Sequence, residues 1–163
     1  MYKVFLETSI FIRYFTADDK KKFKDCVHLL ELIEKGAKVR PYTSNIVLLE
    51  ILFVLTRVYK FSKKEVLEAV LKILNLRNLT LIEKTNTREA IETFRRLNIK
   101  FPDCLIATQV PRSSKIVTYD EDFSKIKNLP VSLPEEFSYS LAEHPAKNCL
   151  PAMQSIALAG GNI

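Results

Sequence analysis

The sequence predicts an α/β fold built on an open parallel sheet, for three reasons. Short apolar segments alternate along the chain with segments whose apolar residues recur at helical spacing, which is the pattern of strand–helix–strand units. The first short segment, residues 4–6, is apolar at every position, as expected of a strand buried on both faces of a parallel sheet. Acidic residues follow such segments or open the helices, so right-handed crossovers would bring them to one edge of the sheet.

Two predicted helices follow the opening strand. Ser9 is a suitable cap for a short helix over residues 10–15. Asp18 and Asp19 open a longer helix, which Gly36 ends because glycine readily adopts the left-handed conformation found there. The apolar residues of this longer helix recur at helical spacing and are Phe23, Val27, Leu30 and Ile33.

The most apolar segment of the chain is predicted to be a helix. A strand over residues 37–42 precedes it, and Thr43 or Ser44 is its cap. The helix runs over residues 43–59 and is apolar on nearly all sides. We therefore expect it to be the central buried helix of the fold.

The second half of the chain continues the alternation. Ser62 caps its first helix, and Pro102 lies in the first turn of a later one, where proline is favoured. Ala90, Ile91 and Phe94 are predicted to share the inward face of the helix between them. The helices lie at residues 62–74, 87–97, 103–110 and, as a single turn, 122–126. The strands lie at residues 79–82, 115–118 and, briefly, at Val131.

Size, composition and charge fit one soluble globular domain. The chain has 163 residues, of which 47% are hydrophobic and 27% charged, so it is long enough to bury a substantial core. A net charge of +6 is compatible with nucleic acid as a partner but is weak evidence alone. The three cysteines have no paired spacing, which argues against a zinc site or a disulfide framework and favours the reducing cytoplasm. Neither a signal peptide nor a membrane span is predicted.

The carboxyl-terminal segment differs from the rest of the chain. Over residues 138–163 charged side chains become sparse, two of the three glycines occur, and hydrophobic periodicity is poor. We therefore expect the domain to comprise residues 1–137. The remainder is interpreted as an atypical extension, either natural or foreign to the domain.

Five acidic residues are candidates for chemistry. Glu7 and Asp120 come just after predicted strands, Asp103 opens a helix, Glu50 lies two turns into one, and Asp122 follows closely on Asp120. Hard cations such as Mg²⁺ bind oxygen ligands, and a pair of ions about 3.5–4 Å apart can activate water and stabilise the leaving oxygen of a phosphodiester. Without a cation such carboxylates repel, and some must hold a proton. Their joint placement therefore favours a metal-dependent nuclease.

Each acid taken alone also has a structural explanation. Glu7 could cap the turn that follows it, Asp103 could be an ordinary acid at a helix start, and Asp120 with Asp122 could form a solvated acidic turn. Glu50 is harder to explain in this way, because glutamate is rarely buried without a partner. Its neighbours are apolar, namely Leu48, Leu49, Ile51 and Leu52.

Four segments of the chain together resemble the PIN domain family, and within it the VapC-like toxin ribonucleases. In order, they resemble the opening strand with its acid–hydroxyl turn, a motif with a serine and a buried glutamate, an aspartate before a small and apolar helix, and a Thr-x-Asp followed by Asp-Phe. These segments are residues 4–10, 43–51, 101–108 and 116–123. Their order and spacing agree from residue 2 to about residue 137.

The resemblance implies a PIN-like three-layer α/β/α fold with a five-stranded parallel sheet. It also implies a cytoplasmic, metal-dependent endoribonuclease that uses Mg²⁺ or Mn²⁺, acts on RNA, is frequently a homodimer and, in the toxin branch, is inhibited by an antitoxin protein. By position, the catalytic acids would be Glu7, Glu50, Asp103 and Asp120. The metal ligands would be Glu7, Asp103, Asp120 and Asp122. Thr8, Ser44 and Thr118 would orient carboxylates or waters, although Ser44 and Thr118 fit capping and strand-end roles equally well.

Glu7 departs from the family pattern, which has aspartate at this position. The extra methylene would move a carboxylate by about 1.5 Å on a fixed backbone, whereas metal sites tolerate about ±0.2 Å in ligand distance. One alternative is therefore a weak or inactive PIN module that binds RNA or a protein partner. A second is a phosphatase or receiver-type domain, since these also cluster acids beyond a parallel sheet.

The basic residues suggest one contact with RNA. Arg13 follows Glu7 by about a turn and a half of helix and is predicted to reach a phosphate near the acids. The other candidates are interpreted as a solvated basic face and are Lys38, Arg40, Arg95, Arg96 and Lys100. Leu67 and Leu71 lie off the main face of their helix, which predicts a dimer interface there.

Overall fold

The computed structural model describes residues 1–36 and 38–142, which contain five strands, seven α-helices and one 3-10 helix. The strands are β1 (Tyr2–Leu6), β2 (Val39–Ser44), β3 (Thr80–Ile82), β4 (Lys115–Val117) and β5 (Val131–Ser132). The α-helices are α1 (Thr8–Thr16), α2 (Lys20–Glu34), α3 (Asn45–Arg57), α4 (Lys63–Leu74), α5 (Thr87–Arg96), α6 (Phe101–Gln109) and α7 (Pro134–Ala142). The 3-10 helix is Glu121–Lys125.

The five strands form one parallel sheet in the order β3-β2-β1-β4-β5. The central strand is β1, and its residues Val4, Phe5 and Leu6 are completely buried. Successive buried residues require helices on both faces of the sheet, so the predicted α/β fold with five parallel strands is confirmed. Because the strands are parallel, their carboxyl ends share one edge of the sheet, where β1 and β4 end side by side.

Helix α3 is not the central buried helix that its composition predicted. Only Val47, Ile51 and Leu55 are buried, at a spacing of four residues, which is one stripe along the helix. Leu49 and Phe53 are each 62% exposed. A helix that is apolar on all sides gives no sign of which side faces the core, so the prediction was wrong about its burial.

Two further details correct the sequence-based expectations. Helix α1 begins two residues earlier than predicted, with Glu7 rather than Ser9 as its cap. In helix α5 only Ala90 and Thr93 are buried, whereas Ile91 and Phe94 are 44% and 50% exposed. The buried face of α5 is therefore narrower than the sequence predicted, and it includes a polar residue, Thr93.

Other helix starts are as the sequence predicted. The Asp19 side chain accepts hydrogen bonds from two backbone amides of α2, and the Ser44 side chain accepts one from α3. Ser62 and Glu65 form a reciprocal capping box at α4. Each such cap satisfies backbone donors that a helix otherwise leaves unpaired, worth about 1 kcal/mol.

Helix α7 spans Pro134–Ala142 and crosses the domain boundary predicted at residue 137. Phe137 and Ser138 are both buried. Residues 143–163, which hold most of the atypical segment, lie outside the described part of the chain, so this boundary stays a prediction. Among the helices that the structure describes, none combines the length and apolar character needed to cross a membrane.

Candidate metal centre

Three aspartates converge beyond the carboxyl ends of β1 and β4. Asp103 lies in the first turn of α6, Asp120 caps the 3-10 helix that follows β4, and Asp122 lies in the first turn of that helix. One carboxylate oxygen of each lies within 4.8 Å of the other two. The sheet topology thus brings together residues that are 17 and 19 positions apart in the chain.

Asp103 is the most constrained of the three aspartates. It is only 4% exposed, and its Oδ2 atom is buried with no hydrogen-bond partner among the described residues. Burial and the neighbouring charge of Asp120 raise the pKa of Asp103 to about 7, with smaller contributions from Glu50 and Glu7, while Lys100 opposes the shift. The charges of the other three predicted catalytic acids therefore all act on Asp103.

The donor set fits a hard divalent cation. Its candidate ligands are all carboxylate oxygens, which Mg²⁺ and Mn²⁺ favour. The unpartnered Oδ2 atom of Asp103 is an acceptor that the described protein leaves unsatisfied, and such an atom costs free energy unless a ligand or water pairs with it. Bringing in positive charge would also relieve the repulsion between Asp103 and Asp120.

Glu50 lies on helix α3, close enough for its charge to act on Asp103, and is held by a hydroxyl group. The Thr8 side chain donates a hydrogen bond of 2.5 Å to Glu50 Oε2. Burial raises the pKa of Glu50, the Thr8 hydrogen bond lowers it, and the charge of Glu7 raises it. Thr8 thus contacts one of the predicted acids, and its role in orienting that acid for metal binding stays a prediction.

The hydrogen bond from Thr8 gives a first testable prediction. Thr8→Val removes the donor and leaves the Glu50 carboxylate without it. If Glu50 reaches the ion through water, we expect about 10-fold weaker Mn²⁺ binding, measured by isothermal titration calorimetry. Thr8→Ser is the matched control because it keeps the hydroxyl, and it should bind Mn²⁺ within about 2-fold of the unmodified protein. Equal affinities in the valine and serine variants would show that Thr8 does not position Glu50.

Glu7 folds back toward the chain that follows it. Its Oε2 atom accepts hydrogen bonds of 2.8 Å from both the Ser9 backbone amide and the Thr118 hydroxyl. Thr118 Oγ1 in turn accepts one of 2.9 Å from the Asp120 amide. Glu7 therefore both caps α1, which is the structural explanation raised above, and is linked through Thr118 to Asp120.

Two other predicted site residues have mainly local partners. Ser44 is completely buried, and its hydroxyl caps α3 by accepting from the Val47 amide at 3.3 Å. The Arg13 guanidinium donates a hydrogen bond to Asp18, which also accepts one of 2.6 Å from the Tyr59 hydroxyl. Of the alternatives for Ser44, capping is the one that the contacts show.

Lys100 is a residue that the sequence analysis assigned to a solvated basic face. Its Nζ atom lies 3.6 Å from Asp120 Oδ2, and the charges of Asp103 and Asp120 raise the pKa of Lys100. It is the N-cap residue of α6, but its side chain makes no capping hydrogen bond. Its side chain is 70% exposed, so Lys100 is solvated as predicted and in addition lies beside the acids. The sequence feature that indicates this contact is the position of Lys100 three residues before Asp103, at the start of the same helix.

Lys100 should compete with a cation for the aspartates. In Lys100→Gln the positive charge beside Asp120 is lost, so we expect Mn²⁺ to bind about 5-fold more tightly, the effect of one partly screened charge at this distance. Titration followed by electron paramagnetic resonance measures it. Arg95→Gln, on the exposed face of α5 and paired with Glu92, is the control and should leave the affinity unchanged. Weaker binding in Lys100→Gln would instead make Lys100 a supporting member of the site.

Comparison with known proteins shows the family to which the chain belongs. The family model described as PIN domain matches residues 4–129. The chain belongs to the PIN domain family. A VapC ribonuclease of Aquifex aeolicus (strain VF5) is 25% identical over 133 residues, which is 80% of this chain and 97% of that protein. All five acids singled out above lie within residues 4–129, the segment that the PIN family model matches.

Solved PIN structures share the fold. VapBC2 of Rickettsia felis, solved bound to a DNA fragment from its promoter, aligns with a TM-score of 0.58 and 24% identity, over 80% of this chain and 98% of that one. VapC20 of Mycobacterium tuberculosis, described as a sarcin-ricin loop cleaving toxin, aligns with a TM-score of 0.60 and 20% identity, over 78% and 99%. This PIN domain therefore has the architecture of VapC proteins.

Proposed function

We propose that this PIN domain is a metal-dependent endoribonuclease that hydrolyses RNA phosphodiester bonds with Mg²⁺ or Mn²⁺. The observation that carries the proposal is the Asp103 carboxylate, which is buried, lacks a partner for Oδ2 among the described residues and lies beside Asp120 and Asp122. A purely structural aspartate would be paired or exposed. Membership of the PIN family and similarity to a VapC ribonuclease support the same chemistry.

The residues of the pocket have different proposed roles. Asp103, Asp120 and Asp122 would hold the cation, with Glu7 ordered beside them by Thr118. A bound divalent cation supplies positive charge for the phosphodiester and makes water a better nucleophile near neutral pH.

Glu50 and Lys100 are proposed to act on the substrate and the attacking water. The raised pKa of Glu50 suits a carboxylate that accepts a proton from the attacking water. Lys100, whose Nζ atom lies 3.6 Å from Asp120 Oδ2, would offer its ammonium group to a substrate phosphate.

The proposal is tested by a cleavage assay on structured RNA with Mg²⁺ or Mn²⁺, and with a chelator. Cleavage that the chelator abolishes supports it. Metal-dependent RNA binding without cleavage would favour the alternative of a weak or inactive PIN module. Turnover of a phosphomonoester but not of RNA would favour a phosphatase.

A toxin role is the finer part of the proposal. Several of the proteins that this chain resembles are VapC proteins, and one of them was solved as VapBC2. We therefore propose that the chain acts in the cytoplasm as the toxin of a pair and is inhibited by an antitoxin protein.

A homodimer is also proposed, because α3 and α4 pack together and expose apolar side chains. These are Leu49, Phe53, Leu67 and Leu71.

A further inference from the structure

A pocket lies beside Asp120, on the side of helix α2. It has a volume of about 320 Å³ and is lined by Ser9, Arg13, Lys22, Tyr119, Asp120 and Glu121. Asp120 belongs both to this pocket and to the candidate metal centre. Whatever occupies the pocket therefore lies directly beside the metal centre.

Two cationic side chains face this pocket, and neither is fully used by the protein. Among the described residues, Lys22 Nζ has one acidic neighbour, Asp19 Oδ2 at 3.9 Å, and it lies 5.1 Å from the centre of the Tyr119 ring. The Arg13 guanidinium uses one nitrogen for Asp18, and it carries five N–H donors in all. Donors therefore remain for an anionic group.

The wall of the pocket is fixed by hydrogen bonds. Ser9 Oγ accepts one of 2.9 Å from the Tyr119 backbone amide and lies 3.3 Å from Thr118 Oγ1. The Tyr119 hydroxyl donates to the Lys22 carbonyl oxygen at 3.4 Å. These contacts tie the end of β4 to α1 and to the first turn of α2, so the backbone segments that carry Arg13 and Lys22 have a defined position relative to Asp120.

We propose that this pocket is the subsite for the RNA nucleotide next to the one whose phosphodiester is cut. Lys22 and Arg13 bind the phosphate of that nucleotide, and the exposed part of Tyr119 offers an aromatic surface beside it. The inference rests on the proposed function, because the pocket lies next to the cleaved phosphodiester only if RNA is cleaved beside Asp120. The phosphate contact itself does not depend on cleavage.

Binding of single-stranded RNA tests the subsite apart from the chemistry. The probe is a fluorescein-labelled 12-nucleotide RNA of mixed sequence, titrated with the Asp103→Asn protein in Mg²⁺ so that the strand stays intact. Adding Lys22→Gln should weaken binding about 5-fold and flatten the slope of log affinity against log salt by about 0.7, the value of one phosphate contact to a single strand. Adding Lys24→Gln instead changes an exposed lysine of the same helix that does not line the pocket. It should change the affinity by less than 2-fold.

Steady-state cleavage with an active protein gives the second readout. Lys22→Gln should raise KM about 5-fold with little change in kcat, because the subsite contacts the strand beside the reacting phosphate. The same affinity and salt slope in the Lys22→Gln and Lys24→Gln proteins, or no RNA binding at all, would overturn the subsite. If the subsite variants behave as expected but the unmodified protein cleaves no RNA, the subsite stands and the ribonuclease proposal fails.

Discussion

Asp103→Asn should abolish metal-dependent cleavage while stabilising the metal-free protein. The substitution removes the charge of the most buried aspartate of the cluster, and we expect kcat/KM to fall by at least about 100-fold, the scale of a misplaced catalytic group. The same change relieves a buried carboxylate of its repulsion from Asp120. Urea unfolding in chelator and cleavage in Mg²⁺ measure the two effects on one preparation.

The stabilisation should depend on pH in a defined direction. The ordinary pKa of Asp103, 3.8, is raised to about 7 in the folded protein, so the folded state binds the proton more tightly than the unfolded state. The unmodified protein therefore loses stability as pH rises from about 4 through about 7, and the asparagine variant lacks this loss. The shift corresponds to at most about 4 kcal/mol, and water entering the open pocket reduces it, so we expect about 1–3 kcal/mol at pH 8 and almost nothing at pH 4.

Adding Mg²⁺ should reverse the order of stability. A cation that binds only the folded state stabilises it by mass action, and the unmodified protein should gain more than Asp103→Asn. Asp25→Asn is the control, since Asp25 pairs with Lys21 on α2 away from the cluster. A variant Asp103→Asn that is less stable than the unmodified protein in chelator, or that cleaves RNA normally, would contradict the assignment.

Glu7 is expected to have two separable roles. Glu7→Ala removes the cap of α1 and leaves the buried Thr118 hydroxyl without its acceptor, which together should cost about 2–3 kcal/mol. Glu7→Gln keeps an oxygen that accepts from both Ser9 and Thr118, so its stability should fall by less than about 1 kcal/mol. Because it lacks the charge, it should still lose about 10–100-fold in kcat/KM. Denaturant unfolding and cleavage kinetics separate the two roles.

Glu7→Asp tests whether the longer side chain has weakened this family member. The Glu7 carboxylate already bonds to Ser9 and Thr118, so shortening it should change kcat/KM by no more than about 5-fold. A rise of about 100-fold in the aspartate variant, the scale expected when a misplaced group is corrected, would show that glutamate holds the site in a poor geometry.

Equal stability of Glu7→Ala and Glu7→Gln would show that the carboxyl oxygen does not act as a cap.

The order of elements up to β5 could be predicted from the sequence because each has a local signal, whereas α7 was not predicted. The strand at residues 4–6 is apolar throughout, and the cap at Ser62 with Glu65 is a short-range pattern, so both agree with the structure. Burial of α3 could not be predicted, because that depends on which neighbours cover the helix. Leu49 and Phe53 look like core residues in the sequence, yet they face away from Val47 and Ile51.

The acids of the site could be predicted, but their partners could not. Asp103 and Asp120 follow a recognisable pattern, whereas the contact between Lys100 and Asp120 depends on how α6 meets the end of β4. The cap made by Glu7 was foreseen as one alternative, but its bond to Thr118 joins residues 111 positions apart. Lys22 lines the pocket because α2 packs against the turn after β4. Tertiary contacts of this kind leave no local trace in a sequence.

A crystal structure with Mn²⁺, read by its anomalous scattering, tests the central claim most directly. The account predicts a strong peak coordinated by oxygens of Asp103, Asp120 and Asp122, with Glu7 or Glu50 reaching the same ion directly or through water. It also predicts that Lys100 moves away from Asp120 when the ion is bound, because both cannot occupy the same side of that carboxylate. A fully loaded crystal with no peak at these aspartates, or with its peak elsewhere on the chain, would contradict the account.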